Sequence, residues 1–355
     1  MWRGLNRKSG PPVATVTGRS LTDALCLESL ATPRADRFVF RCRRIGRCLA
    51  LLLVIAATAS AAPQPQTPSL PAAADQEPIT PVPLPPAADP LKLALGERLF
   101  ADPRLSHDGQ LTCSSCHDLH SNGADGKRQR VAGDGSILPF NTLTVFNAAL
   151  SFRLNWEGNF RTLEAQAESS LENTANLATN ANEVLKKLDA DPEVVRQFTR
   201  AYGHPPDRTS LLDAIATYER SLVTPGSRFD RWLEGDTGAL SEEEQNGYRL
   251  FKSLGCVSCH QGVNVGGNLF ERHGIFHPLA SPKPEILRVP SLRNVATTPP
   301  YFHDGSAPTL RKAVRKMALA QLDETLSDQQ IESIVAFLNT LTGTYRGVPL
   351  TAAPP

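Results

Sequence analysis

A five-residue pattern occurs twice in this chain, as Cys113-Ser114-Ser115-Cys116-His117 and as Cys256-Val257-Ser258-Cys259-His260. A C-x-x-C-H pentad is the attachment signature of a c-type haem. Its two thiols add to the vinyl groups of the porphyrin, and the adjacent histidine reaches the iron from the proximal side. The competing reading is a pair of reactive or zinc-binding C-x-x-C motifs. It leaves unexplained the histidine that follows each second cysteine. The chain has seven cysteines, and the other three, Cys26, Cys42 and Cys48, lie near its start. Once that front end is removed, the pentads use every thiol and none is left for a disulfide.

Residues 1–62 read as a secretory signal with an over-long n-region. The basic run Arg41, Arg43, Arg44 and Arg47 precedes the apolar stretch Cys48 to Ala57, and Ala59-Ser60-Ala61 offers small residues to a signal peptidase. The apolar core is short for a membrane span, although an uncleaved anchor is the alternative. The forty residues ahead of it suggest a start site placed too far upstream. Export to the periplasm is therefore expected, and it suits haem attachment, which bacteria carry out beyond the inner membrane. Residues 63–89 are rich in proline and alanine, the composition of an extended tether rather than a packed segment. The chain of 355 residues has room for about two domains. Its net charge of +1 gives no reason to expect a nucleic-acid partner.

A longer repeat surrounds the pentads. Leu91 to Phe100 (LKLALGERLF) reads as an amphipathic helix before the first, and Glu242 to Phe251 (EEEQNGYRLF) as its counterpart before the second. Ser241 with Glu244 forms a capping box, and Gly255 is placed to end that helix. After each pentad comes a loop closing in an apolar turn with asparagine, at Asn141 to Asn147 and at Val289 to Val295. Each half then offers a helix opening on Thr-Leu (Thr162-Leu163, Thr309-Leu310) and a final helix (Leu211 to Leu222, Asp328 to Leu341). Strand patterns are nearly absent. The expected fold is mostly α: two tandem cytochrome c-like domains, 90–223 and 239–345, each binding one c-type haem and joined around Thr224 to Gly238.

The repeat also singles out the sixth iron ligands. Met1 and Met317 are the two methionines of the chain. Met317 falls seven residues after Leu310, and a thioether opposite histidine raises a haem's reduction potential. The same step after Leu163 gives Ser170, no competitive ligand. The halves are thus expected to differ, with a closed electron-transfer haem at His260/Met317 and a more open haem at His117.

The run Asp102 to Ser106, Thr144 to Asn147, Trp156, the two pentads, Pro290 to Asn294 and Thr298 to Gly305 together resemble the bacterial di-haem cytochrome c peroxidases, the group that includes MauG. The likeness runs from about Leu91 to Gly343. It implies a periplasmic enzyme whose C-terminal haem accepts electrons and whose N-terminal haem handles peroxide. By the same likeness Met317 is the distal ligand of the electron-transfer haem, Trp156 a conduit between haems, and Gln166 a pocket glutamine. Asn141, with the carbonyls of Thr298 and Pro300, resembles the family's calcium site, whose oxygen-only ligands suit that ion.

Two departures from the family stand out. Its switch histidine, which blocks the peroxide site until reduction, would fall in Val131 to Gly135, and no histidine occurs between His120 and His204. His120 itself reads as a surface residue. The family's acid/base glutamate would fall at Asn176, in Asn173-Thr174-Ala175-Asn176-Leu177. An amide donates and accepts hydrogen bonds but does not take a proton and return it. Glu168 and Glu172 are nearby in sequence, yet solvated faces suit both.

Three functions compete on these grounds. The main reading is a peroxidase that reduces hydrogen peroxide with electrons from a small cytochrome c or cupredoxin. The alternatives are a MauG-like oxidase modifying a residue of a partner protein, and a di-haem electron carrier with little turnover. The missing switch favours the second and the missing glutamate the third. Against the second, MauG resembles an enzyme with tyrosine as distal ligand, whereas Met317 is the peroxidase-type choice. A homodimer is compatible with each.

Overall fold

The computed structural model describes residues 77–131 and 137–353. The secretory-signal reading, most of the tether, and residues 132–136 in the switch-histidine stretch lie outside the described residues.

Each half begins in the way its sequence repeat demands. Helix α1, Pro90–Phe100, opens on proline, with the Asp89 carboxylate accepting from the Leu91 N–H at 2.8 Å. Its counterpart, Glu242–Ser253 (α7 in chain order), opens on the reciprocal Ser241/Glu244 box, with the Glu244 carboxylate on the Ser241 N–H at 2.8 Å. Each then crosses the last helix of its half at a glycine. On α1 a Cβ at Gly96 would collide with the Ala214 carbonyl of Arg208–Ser221 (α5). On α7 a Cβ at Gly247 would collide with the Ser333 carbonyl of Asp328–Asn339 (α9). The glycine in each repeat thus sets how closely the two helices pack. Four residues on, Phe100 and Phe251 turn their rings toward His117 and His260, at centroid distances of 6.5 and 6.3 Å.

The Thr-Leu helices also correspond. Thr162 caps Leu163–Glu172 (α2) by accepting from the Ala165 N–H at 3.2 Å, and Thr309 caps Leu310–Leu322 (α8) from the Lys312 N–H at 3.2 Å. Two helices have no counterpart in the second half, and the repeat gave no hint of them: α3, Ala181–Asp189, and α4, Pro192–Tyr202. Their Val184, Leu188, Val194 and Phe198 are fully buried and complete the first core with Leu99, Leu105, Leu171 and Leu211. Strand is confined, among the described residues, to two short antiparallel pairs: β1 (Phe270–Arg272) with β2 (Ile286–Arg288), and β3 (Thr344–Tyr345) with β4 (Val348–Pro349). The fold is mostly α with two helical domains.

One expectation needs correction. The end of the tether is packed, not free. Ile79 and Val82 are buried, with Ile79 inside the second core. The Glu77 carboxylate accepts from the Tyr248 hydroxyl at 2.5 Å and from Lys252 at 3.0 Å, and the Thr80 carbonyl from Arg293 at 2.7 Å. The prolines report a stiff backbone without helix; they do not report where two apolar side chains land. The joint at Thr224 to Gly238, for which the sequence suggested no element, is structured. It carries helix α6, Arg228–Leu233, whose Phe229 packs edge-on against Tyr248 and Phe337 at 4.8 and 5.1 Å. Asp230 of α6 pairs with Arg293 at 2.8 Å, both side chains sealed from solvent.

Candidate functional site

Each pentad folds as one tight turn, Cys113–Ser115 and Cys256–Ser258, closed by the histidine N–H donating to the first cysteine carbonyl at 3.0 Å. The imidazole Nδ1 of His117 lies 3.0 Å from the Gly123 carbonyl, and that of His260 3.2 Å from the Val265 carbonyl. A carbonyl only accepts, so Nδ1 carries the proton and Nε2 keeps its lone pair, the tautomer a metal needs. Burial lowers both imidazole pKa values, that of His260 to about 4, so both rings are neutral near pH 7. Burial also pushes the Cys113 thiol up to about 12 and the Cys256 thiol to about 11. Among the described residues no three or more His, Cys, Asp and Glu side chains gather to hold an ion.

Each turn forms part of the wall of a cavity, about 450 Å³ in the first half and about 400 Å³ in the second. Two thiols on one turn, a neutral imidazole with its Nε2 available, and an open, largely apolar volume alongside fit a covalently attached haem in each half.

The two cavities differ where the repeat said they would. Met317, on α8, lines the second. The matching position on α2 is Ser170, which lines the first and accepts from the Gln166 Nε2 at 2.9 Å. Gln166 and Asn176 both line the first cavity. Among the described residues, its lining holds no methionine and no histidine besides His117. His120 is exposed and lines neither cavity. Glu168 and Glu172 are absent from the wall as well; Glu168 pairs with Arg208, and Glu172 is exposed.

Trp156 is 8% exposed and lines both cavities, donating its indole Nε1–H to the Asn141 carbonyl at 2.8 Å. Asn141, Thr298 and Pro300 all line the second cavity. The Asn141 Nδ2 is engaged by the Lys127 carbonyl at 2.5 Å, which leaves Oδ1 as an acceptor.

Sequence reasoning missed Glu219. It lines the first cavity from α5 and is 7% exposed, and among the described residues its buried Oε2 has no hydrogen-bond partner. Burial, and the nearby Glu164 carboxylate, push its carboxyl up to about 8 against the weaker pull of Arg220. A signal was present: Glu219 follows Leu211 and Ile215 at steps of four, so a charge stands on the helix's apolar stripe.

Comparison with known proteins agrees with this construction. Residues 90–238 match the family model for di-haem cytochrome c peroxidase, and residues 244–342 match that for cytochrome c. The chain is 37% identical to the cytochrome c551 peroxidase of Nitrosomonas europaea, over 79% of this chain and 89% of that one. It is 38% identical to the cytochrome c peroxidase Ccp of Escherichia coli over 76% of its own length, but spans only 62% of that relative. Among solved structures, a MauG-like protein associated with microbial copper homeostasis superposes with a TM-score of 0.64 at 26% identity, covering 74% of this chain and 93% of that one. The fold and the paired pentads define a di-haem c-type oxidoreductase. The chain belongs to the bacterial di-haem cytochrome c peroxidase and MauG family.

Proposed function

We propose that this protein reduces hydrogen peroxide in the His117 cavity with electrons that enter through the His260/Met317 cavity. A small cytochrome c or cupredoxin is the donor; two electrons and two protons convert one peroxide into two waters. The observation that carries this reading is the asymmetry of the cavities, with Met317 in one and Ser170 at the matching place in the other. A thioether opposite histidine closes a site and raises its potential, whereas a serine leaves room for a small oxidant. A haem held by His117 would supply the redox centre for cleavage of the O–O bond.

The surrounding side chains do the rest. Gln166, fixed by its bond to Ser170, and Asn176 present amides that orient a peroxide without exchanging a proton with it. Glu219, held protonated near neutral pH, is the buried carboxyl of the cavity. Trp156, in the wall of both cavities, is the proposed conduit for electrons. The Asn141 Oδ1 with the Thr298 and Pro300 carbonyls is a candidate calcium site, supported by their shared position on the second cavity. Export to the periplasm completes the reading, supported by the pattern of the first 62 residues.

One observation favours a MauG-like oxidase: no histidine other than His117 stands in the first cavity's described wall to be released on reduction. Peroxide-dependent oxidation of a reduced small cytochrome or cupredoxin, by the natural protein and by His117→Gly, separates the readings. Donor oxidation that His117→Gly abolishes supports peroxidase function. No oxidation above the enzyme-free rate sinks it, and peroxide-dependent modification of a partner protein under those conditions would favour the oxidase.

A further inference from the structure

Two arginines are buried among the described residues, and they are served very differently. Arg293 has Asp230 at 2.8 Å, and its Nε and Nη2 donate to the Val263 and Thr80 carbonyls, each at 2.7 Å. Arg288 is 6% exposed and, among the described residues, makes no ion pair and leaves Nη1 buried without a partner. It lines the second cavity. A buried cation without an anion costs several kcal/mol in effective desolvation, and burial alone pulls this guanidinium down to about 10. Glu271 is the one carboxylate in the described wall of that cavity, and it accepts from the Arg272 N–H at 2.9 Å rather than from Arg288. The wall therefore offers a cation and keeps no anion for it.

The remaining bonds of Arg288 show what it is tied to. Its backbone N–H donates to the Trp156 carbonyl at 2.8 Å, and its Nε to the Asn155 carbonyl at 3.0 Å. One residue thus spans from the second cavity to the loop of the tryptophan that lines both. A c-type haem brings two propionate carboxylates into its cavity, and these are the anions the arginine lacks.

We propose that Arg288 anchors a haem propionate in the second cavity and fixes that carboxylate beside Trp156. This rests on the haem reading of the second cavity. Arg288 is a positioning residue: its charge compensates the propionate, and its bonds to residues 155 and 156 set where the propionate stands relative to the indole. A cation at this place favours the reduced haem, so its loss lowers the potential of the His260 haem and leaves that of the His117 haem alone.

The test uses the full-length holoprotein, with Arg288→Gln and Arg288→Lys. Spectroelectrochemical titration at pH 8, where an unanchored propionate is ionised, reads each haem's potential, and pyridine-haemochrome analysis of the same samples counts haems. The expected result is a lower potential for the methionine-ligated haem in Arg288→Gln, an unchanged potential for the other, and recovery in Arg288→Lys. Loss of the second haem in Arg288→Gln with retention in Arg288→Lys supports the same assignment. An unmoved potential in Arg288→Gln overturns it. So does an equal fall, or an equal loss of haem, in both variants, since a structural role would ignore the charge. A natural protein carrying fewer than two haems removes the haem reading itself, which the haem count reports separately.

Discussion

Asn147 and Asn294 hold the same left-handed backbone conformation, φ 61° in each, and both donate an amide Nδ2–H to one hydroxyl, that of Thr224, at 2.8 and 3.0 Å. They are the asparagines that close the matching turns of the two halves, and Thr224 stands where the halves join. The Asn147 Oδ1 accepts from the Thr224 N–H at 2.9 Å, and the Asn294 Oδ1 from the Gly343 N–H at 2.9 Å. The sequence repeat is therefore also a symmetric clasp about one threonine.

Thr224→Val keeps the shape of this clasp and removes its acceptor. Two buried amide donors are left unpaired, and an unsatisfied buried polar group costs about 1–3 kcal/mol. The variant should unfold at lower denaturant than the natural protein, with an unchanged slope, while retaining both haems. An unchanged midpoint would mean that the asparagines find other acceptors.

Much of this fold was legible because the chain states it twice. The pentads, the helix before each, the Thr-Leu helix starts and the asparagine turns each occur in both halves, so one half checks the other; the close packing at Gly96 and Gly247 shows only in the structure. What escaped had no partner to be checked against. Helices α3 and α4 occur once, and the stretch holding α6 was read as a joint because it lies between the repeats. The packing of Ile79 and Val82 depends on a surface built by residues far along the chain. In the site, Met317 and Ser170 were found by their equal step. Glu219 and Arg288 were missed because burial, not residue type, makes them unusual.

Glu219 offers a pH test with a definite sign. Its carboxyl is raised to about 8 in the folded chain from an ordinary 4.5. Between those values the unfolded chain has released the proton and the folded chain has not, so stability falls as pH rises through this window. Below it the group contributes no penalty. Glu219→Gln removes the titration, and its gain in melting temperature over the natural protein should be larger at pH 9 than at pH 5. Equal shifts at both pH values would show that Glu219 is ionised, or solvated, in the folded state.

By its likeness in sequence, Asn176 is expected to stand where the family keeps an acid/base carboxylate. Groups of that kind contribute about 10²–10⁴-fold. Asn176→Glu should raise the rate of peroxide reaction by at least about tenfold, a discounted share of that range because the pocket is shaped for an amide. Stopped-flow mixing at matched reduction states measures it. A natural protein that already reacts as fast as the variant would pass the proton-handling role to another carboxyl, with Glu219 first in line.

Met317 is expected to ligate the iron held by His260. The oxidised protein should show a weak near-infrared band from sulfur-to-iron charge transfer. Met317→His should remove the band and lower that haem's potential, because a thioether raises it. A spectrum and potential untouched by the substitution would leave Met317 as a packing residue on α8.

That one haem is closed and the other open is tested most directly by electron paramagnetic resonance of the fully oxidised protein. Two covalent haems per chain should give one low-spin signal, from His260/Met317, and one high-spin ferric signal, from His117. Cyanide added without prior reduction should convert the high-spin signal to low-spin and leave the other in place. Two low-spin signals at rest, both indifferent to cyanide, would contradict the account, because the first cavity would then be closed by a protein ligand.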